Sequence, residues 1–126
     1  MCSVIGCAQV ERAQASNTSV LRVFTATIAA RRRSPALLHG AQRFLHTSDA
    51  TGVLAFRRWE AGAATAVVAL NWGATWATVN LTSGFAGRGY AALSTAAGEY
   101  TPRRALSMAS VELAPGEGLL LFSEPA

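Results

Sequence analysis

The apolar periodicity of this chain changes near Gly40, and that change limits its possible architectures more than any other feature. Before it, apolar residues recur at helical spacing; after it, they come in short runs rich in β-branched and aromatic residues, separated by Gly, Asp and Pro. Such a pattern predicts one helix followed by sheet. Ser16, Asn17, Thr18 and Ser19 offer N-caps, and Val20, Leu21, Phe24 and Ile28 then form one apolar stripe. Arg31, Arg32 and Arg33 occupy the last turn, where positive charge favours the negative end of the helix dipole. Pro35 disfavours a helical conformation at Ser34 and ends the helix, leaving Leu37, Leu38 and Gly40 as a short turn.

Seven strands are predicted, over residues 42–47, 53–59, 65–71, 76–81, 90–94, 109–113 and 119–122. Their lengths and the glycine-bearing turns between them fit an antiparallel Greek-key β-sandwich, so the expected fold is mostly β with one N-terminal amphipathic helix. The expected divisions are an irregular segment over 1–15, the helix region over 16–40 and the sandwich over 41–126. Ala66, Val67, Val68, Ala69 and Leu70 are apolar at every position, as in a central strand covered on both faces. In 53–59, Leu54 and Phe56 share a face while Arg57 and Arg58 oppose one another, which predicts that the sheet meets its outer surface near that end. Residues 95–108 have no period and read as a long loop carrying Tyr100, Pro102, Arg103 and Arg104.

The 126 residues are 51% apolar and 14% charged, enough for one hydrophobic core and unlike a disordered chain. All eleven basic residues are Arg, and only Arg31-Arg32-Arg33 and Arg103-Arg104 are clustered, so a nucleic-acid-binding basic domain ranks last among the readings, no phosphate-tracking stripe is evident and no nucleic-acid partner is expected. Cys2 and Cys7 have no second pair to complete a four-ligand zinc site, and no cofactor is expected. No window approaches the roughly 18 apolar residues of a membrane span. No signal-peptide pattern precedes Cys7, so the expectation is a soluble, cytoplasmic protein.

Four stretches carry a family resemblance. Residues 19–40 contain Ser19-Val20-Leu21-Arg22 and end in Arg33-Ser34-Pro35-Ala36-Leu37-Leu38-His39-Gly40. They resemble the last barrel helix of α-amylase-family enzymes, with its "LxxLRrxxPaLrxG" form. Gly52-Val53-Leu54-Ala55-Phe56-Arg57-Arg58 and Val67-Val68-Ala69-Leu70-Asn71-Trp72 are similar to that family's "vlaf.R" and "vvlNfs" strands. Leu113-Ala114-Pro115-Gly116-Glu117-Gly118-Leu119-Leu120-Leu121 resembles its closing "L.PgegllL" strand. The order and spacing over residues 16–122 are closest to α-glucosidases, oligo-1,6-glucosidases and trehalose synthase-like relatives. The resemblance implies the C-terminal region of a glycoside hydrolase: the last barrel helix, then a non-catalytic domain C that packs against the barrel. Residues 1–15 lack the barrel strand expected there, which reads as a truncated frame.

As the resemblance implies, catalysis in this family uses an Asp nucleophile, a Glu acid and a further Asp on barrel strands, with two carboxylates roughly 5 Å apart in retaining enzymes. The chain's acidic residues are Glu11, Asp49, Glu60, Glu99, Glu112, Glu117 and Glu124, and none stands in a barrel motif. No catalytic residue is assigned. Asp49, Glu60 and Glu117 fall in turns, where capping of the backbone is expected. His46, Ser48 and Asp49 lack a nucleophile elbow, and His39 reads as a surface residue. The partner expected for Val20, Leu21, Phe24 and Ile28 is a catalytic barrel, or a second copy in its absence. Trp59, Trp72 and Trp76 raise the alternative of carbohydrate binding, with Trp72 and Trp76 as candidate contacts to an α-glucan and Trp72, in a turn, the most exposed.

Overall fold

The computed structural model describes residues 20–48, 50–95 and 104–124. Helix α1 spans Val20–Arg33 and is followed by a short helix α2, Pro35–His39. Eight strands follow: β1 Ala41–Ser48, β2 Val53–Trp59, β3 Ala66–Asn71, β4 Ala77–Val79, β5 Arg88–Ser94, β6 Arg104–Ser107, β7 Val111–Leu113 and β8 Gly118–Phe122. Six form one antiparallel sheet in the order β1-β2-β3-β8-β5-β6, and β4 pairs with β7 in a second.

The large sheet is covered on both faces, and the alternation of its central strands shows how. Val67 and Ala69 of β3, with Leu119 and Leu121 of β8, meet Val79, Val111 and Leu113 from the small sheet. Ala66, Val68, Leu120 and Phe122 point the other way and pack with Ala26 and Ala30 of α1 and Leu37 of α2. A strand between two layers needs apolar side chains at odd and even positions alike, hence the unbroken run in β3. The fold is the expected β-rich, sandwich-like one with an N-terminal helix.

Four expectations need correction. Pro35 ends α1 but also opens α2, where a missing N–H costs nothing and the fixed φ suits the first helical position. Ser34 is its N-cap, its Oγ accepting from the Leu37 N–H at 3.3 Å, so Leu37 and Leu38 are helical and not a turn. Secondly, the stretch read as a loop over 95–108 contains β6, which makes eight strands instead of seven. Strand β6 is four residues long, pairs only with β5 at the sheet edge and packs one residue, Leu106, on the core, too little to generate a period. Thirdly, β4 is three residues, so Trp76 precedes the strand and Leu81 follows it. Lastly, Arg57 and Arg58 do take opposite faces, yet neither side chain is exposed. The Arg58 guanidinium donates to the carbonyls of Leu37 at 2.6 Å and Gly40 at 2.9 Å, tying α2 and its exit to the sheet. Arg57 donates to the Gly84 carbonyl at 3.2 Å and lies 4.2 Å from the Trp59 ring centroid, a cation–π contact. The proposed N-caps 16–19, Asp49, Tyr100, Pro102 and Arg103 lie outside the described residues.

Candidate functional site

Polar groups buried in a sandwich need partners, and here they fasten the turns at one end of it. Asn71 closes β3 and is 1% exposed. Its Nδ2 donates to the carbonyls of Thr75 at 3.0 Å, Leu113 at 3.2 Å and Ala114 at 3.1 Å, and its Oδ1 accepts from the Gly73 N–H at 2.8 Å. One side chain thus holds the β3–β4 turn in shape and fixes it to the end of β7.

Glu117 does the corresponding work in the β7–β8 turn. Pro115 and Gly116 are its central residues; Gly116 has φ +74°, as a type II turn requires, and the Glu117 N–H donates to the Ala114 carbonyl at 3.0 Å. The buried Glu117 carboxylate accepts from Ser94 Oγ at 2.7 Å and from the Ala114 N–H at 2.9 Å. With both oxygens so engaged, it is a structural carboxylate. Ser48 is likewise a turn residue, its Oγ accepting from the Thr51 N–H at 3.2 Å. Among the described residues no three His, Cys, Asp or Glu side chains are grouped to hold a metal, and no helix is long and apolar enough to cross a membrane.

The β1–β2 turn braces the same end. The Trp72 N–H donates to the Gly52 carbonyl at 2.7 Å, and the two backbones approach so closely that a Cβ on Gly73 would lie 2.5 Å from the Thr51 oxygen. Gly73→Ala is therefore expected to force the turns apart and destabilise the chain by about 2 kcal/mol, read from the urea midpoint at unchanged slope.

On this braced turn stand the two tryptophans selected from the sequence. Trp72 is 70% exposed and Trp76 69% exposed, whereas Trp59 is half-buried in β2 beneath Arg57. Trp76 lines two shallow hollows, one of about 260 Å³ with His46, Thr51, Thr75 and Thr78, the other of about 300 Å³ with Thr78 and Glu112.

The second feature is α1. Its small residues Ala26 and Ala30 seat it on the sheet, leaving Phe24 63% exposed and Ile28 37% exposed; Leu21 is half-buried and the Val20 side chain lies outside the described set. Sequence reading found the bulky stripe and missed the alanine seat, because alanines carry little weight in a search for apolar periodicity. Beside α1 an apolar cleft of about 380 Å³ runs between Val23 and Thr27 and the sheet residues Phe56, Val68, Leu70 and Leu93.

No family model and no curated protein matches this chain. Solved structures do. A trehalulose-soaked crystal of a MutB mutant is 26% identical with a TM-score of 0.71, over 89% of this chain and 19% of its own. Trehalulose synthase MutB from Pseudomonas mesoacidophila MX-45 is 25% identical with a TM-score of 0.69 over the same shares, 89% and 19%. Isomaltulose synthase PalI from Klebsiella sp. LX3, at 23% identity and a TM-score of 0.72, is alike in fold, again over 89% of this chain and 19% of its own. These neighbours are α-amylase-family proteins, and the chain spans about a fifth of their length.

Proposed function

We propose that this chain is the last barrel helix and non-catalytic C-terminal sandwich of an α-amylase-family glycoside hydrolase, α-glucosidase-like in its carbohydrate chemistry. Its work is to pack against a catalytic barrel and stabilise it. The observation that carries this reading is the double face of α1. Alanines seat the helix on the sheet, while Phe24 and Ile28 stand uncovered on another side. A free-standing domain has no use for a phenylalanine 63% exposed on a helix already docked, whereas a helix lodged between two bodies needs both faces. The likeness to about a fifth of each solved enzyme supports the same division of labour.

The test is made on the isolated chain. It is expected to self-associate or to bind a hydrophobic dye, and Phe24→Ser with Ile28→Ser is expected to reduce either signal at least about fivefold with little change in stability. A monodisperse dye-free monomer, or release of glucose from maltose by the purified chain, would overturn the reading.

A further inference from the structure

We infer that two copies of this chain close on one another as a two-fold dimer, the α1 helix of each lying on the half of the other's large sheet that its own α1 leaves open. The inference concerns the chain by itself and goes beyond the barrel-packing role. Helix α1 covers only part of its side of the sheet, seated on Ala66 of β3, Leu120 of β8 and Ala92 and Leu93 of β5. A helix about 10 Å across spans about two strands set about 4.8 Å apart, so a six-stranded sheet has room for a second beside it. The open half has an apolar floor. Leu54 and Phe56 of β2 and Leu70 of β3 are half-buried there, whereas Val53, Ala55 and Ala69, which face the small sheet, are buried. Phe44 on β1 is cross-strand from Phe56, with ring centroids 6.2 Å apart, and carries the floor to the sheet edge, 57% exposed.

Helical spacing supplies the matching surface. Phe24 and Ile28 stand two residues before and after Ala26, about 200° round the helix from the seat, and so point away from their own sheet. Val23, Thr27 and Arg31 form the side that walls the cleft. One rotation satisfies both surfaces. About an axis in the cleft and parallel to α1, it lays the second α1 on the open floor and sets Phe24 and Ile28 of each copy on Leu54, Phe56 and Leu70 of the other. Such an interface is self-complementary and closed, so association stops at two. In a longer polypeptide a barrel competes for these surfaces; for this chain the occupant is a second copy, because the empty seat and the helix that fits it are carried together. The rotation leaves the two helices parallel and puts Arg31 beside Arg31, so like charge opposes the dimer and salt strengthens it.

Sedimentation equilibrium of the 126-residue chain is expected to give the mass of two chains. Phe44→Ser should weaken the dimer at least about tenfold, and because Phe44 is exposed the variant should keep the parent's circular dichroism. Arg31→Ser should tighten it about threefold at low salt. In a background of Cys2→Ser and Cys7→Ser, Thr27→Cys should cross-link under mild oxidation, whereas Ala29→Cys, exposed on the flank of α1 away from the cleft, should not. Below the dissociation constant the cleft is open to solvent, and there the chain is the monomer described above. A monomer at all concentrations, open-ended assemblies, undiminished association in Phe44→Ser, or equal cross-linking through Ala29→Cys overturns the dimer. A monomer that still binds hydrophobic dye does so while leaving the barrel-packing role standing.

Discussion

Replacing Asn71 by alanine is expected to destabilise the chain by about 3 kcal/mol, lowering its melting temperature by roughly 10 °C. The side chain is 1% exposed and serves three carbonyls and one N–H across two turns. A methyl group satisfies none of them. Each net hydrogen bond is worth only about 1 kcal/mol, but groups left buried without a partner lose their solvation as well. Asn71→Asp sharpens the test, since it keeps the shape and turns a donor into an acceptor facing the Thr75, Leu113 and Ala114 carbonyls. It is expected to be worse than alanine. An aspartate variant as stable as the parent would show that donation by Nδ2 is not what holds these turns. Loosening of the β3–β4 turn should also shift the Trp72 and Trp76 emission before global unfolding in urea.

How much of this was legible in the sequence depends on where each residue's partners lie. Strand β2 was read with its observed bounds, and the double burial of β3 follows from five consecutive apolar residues, because period and burial are local signals. The asparagine and glutamate of the two strand motifs could be singled out, and Glu117 could be placed in a turn. Their work could not be read. Asn71 reaches the Leu113 carbonyl 42 residues away, and Glu117 meets Ser94 across 23, separations that no local pattern encodes. Strand β6 escaped notice because an edge strand of four residues leaves most of its side chains unconstrained. Helix α2 is hidden in the sequence because Pro35 ends one helix and also begins the next. Trp72 and Trp76, near a turn, were legible as candidates for exposure. The approach of His46, Thr51 and Glu112 to Trp76 required the register of β4 with β7 and the bracing of the β1–β2 turn.

The two layers also differ in how firmly they are closed, and adjacent leucines measure the difference. Leu121 is fully buried between the sheets, so Leu121→Ala leaves a sealed void and is expected to cost about 3–4 kcal/mol. Leu120 is 6% exposed on the opposite face and lines the open cleft beside α1, where truncation only widens a space that solvent already reaches. Its alanine variant is expected to cost about 2 kcal/mol, since the cavity term largely falls away. Urea midpoints of the two variants settle the order, and equal losses would mean that α1 seals its side of the sheet as tightly as the small sheet seals the other. The contrast bears on function. Where the barrel reaches the cleft as well as Phe24 and Ile28, the same Leu120→Ala change placed in the longer polypeptide should rise toward the Leu121→Ala cost, because the space beside α1 would then be enclosed.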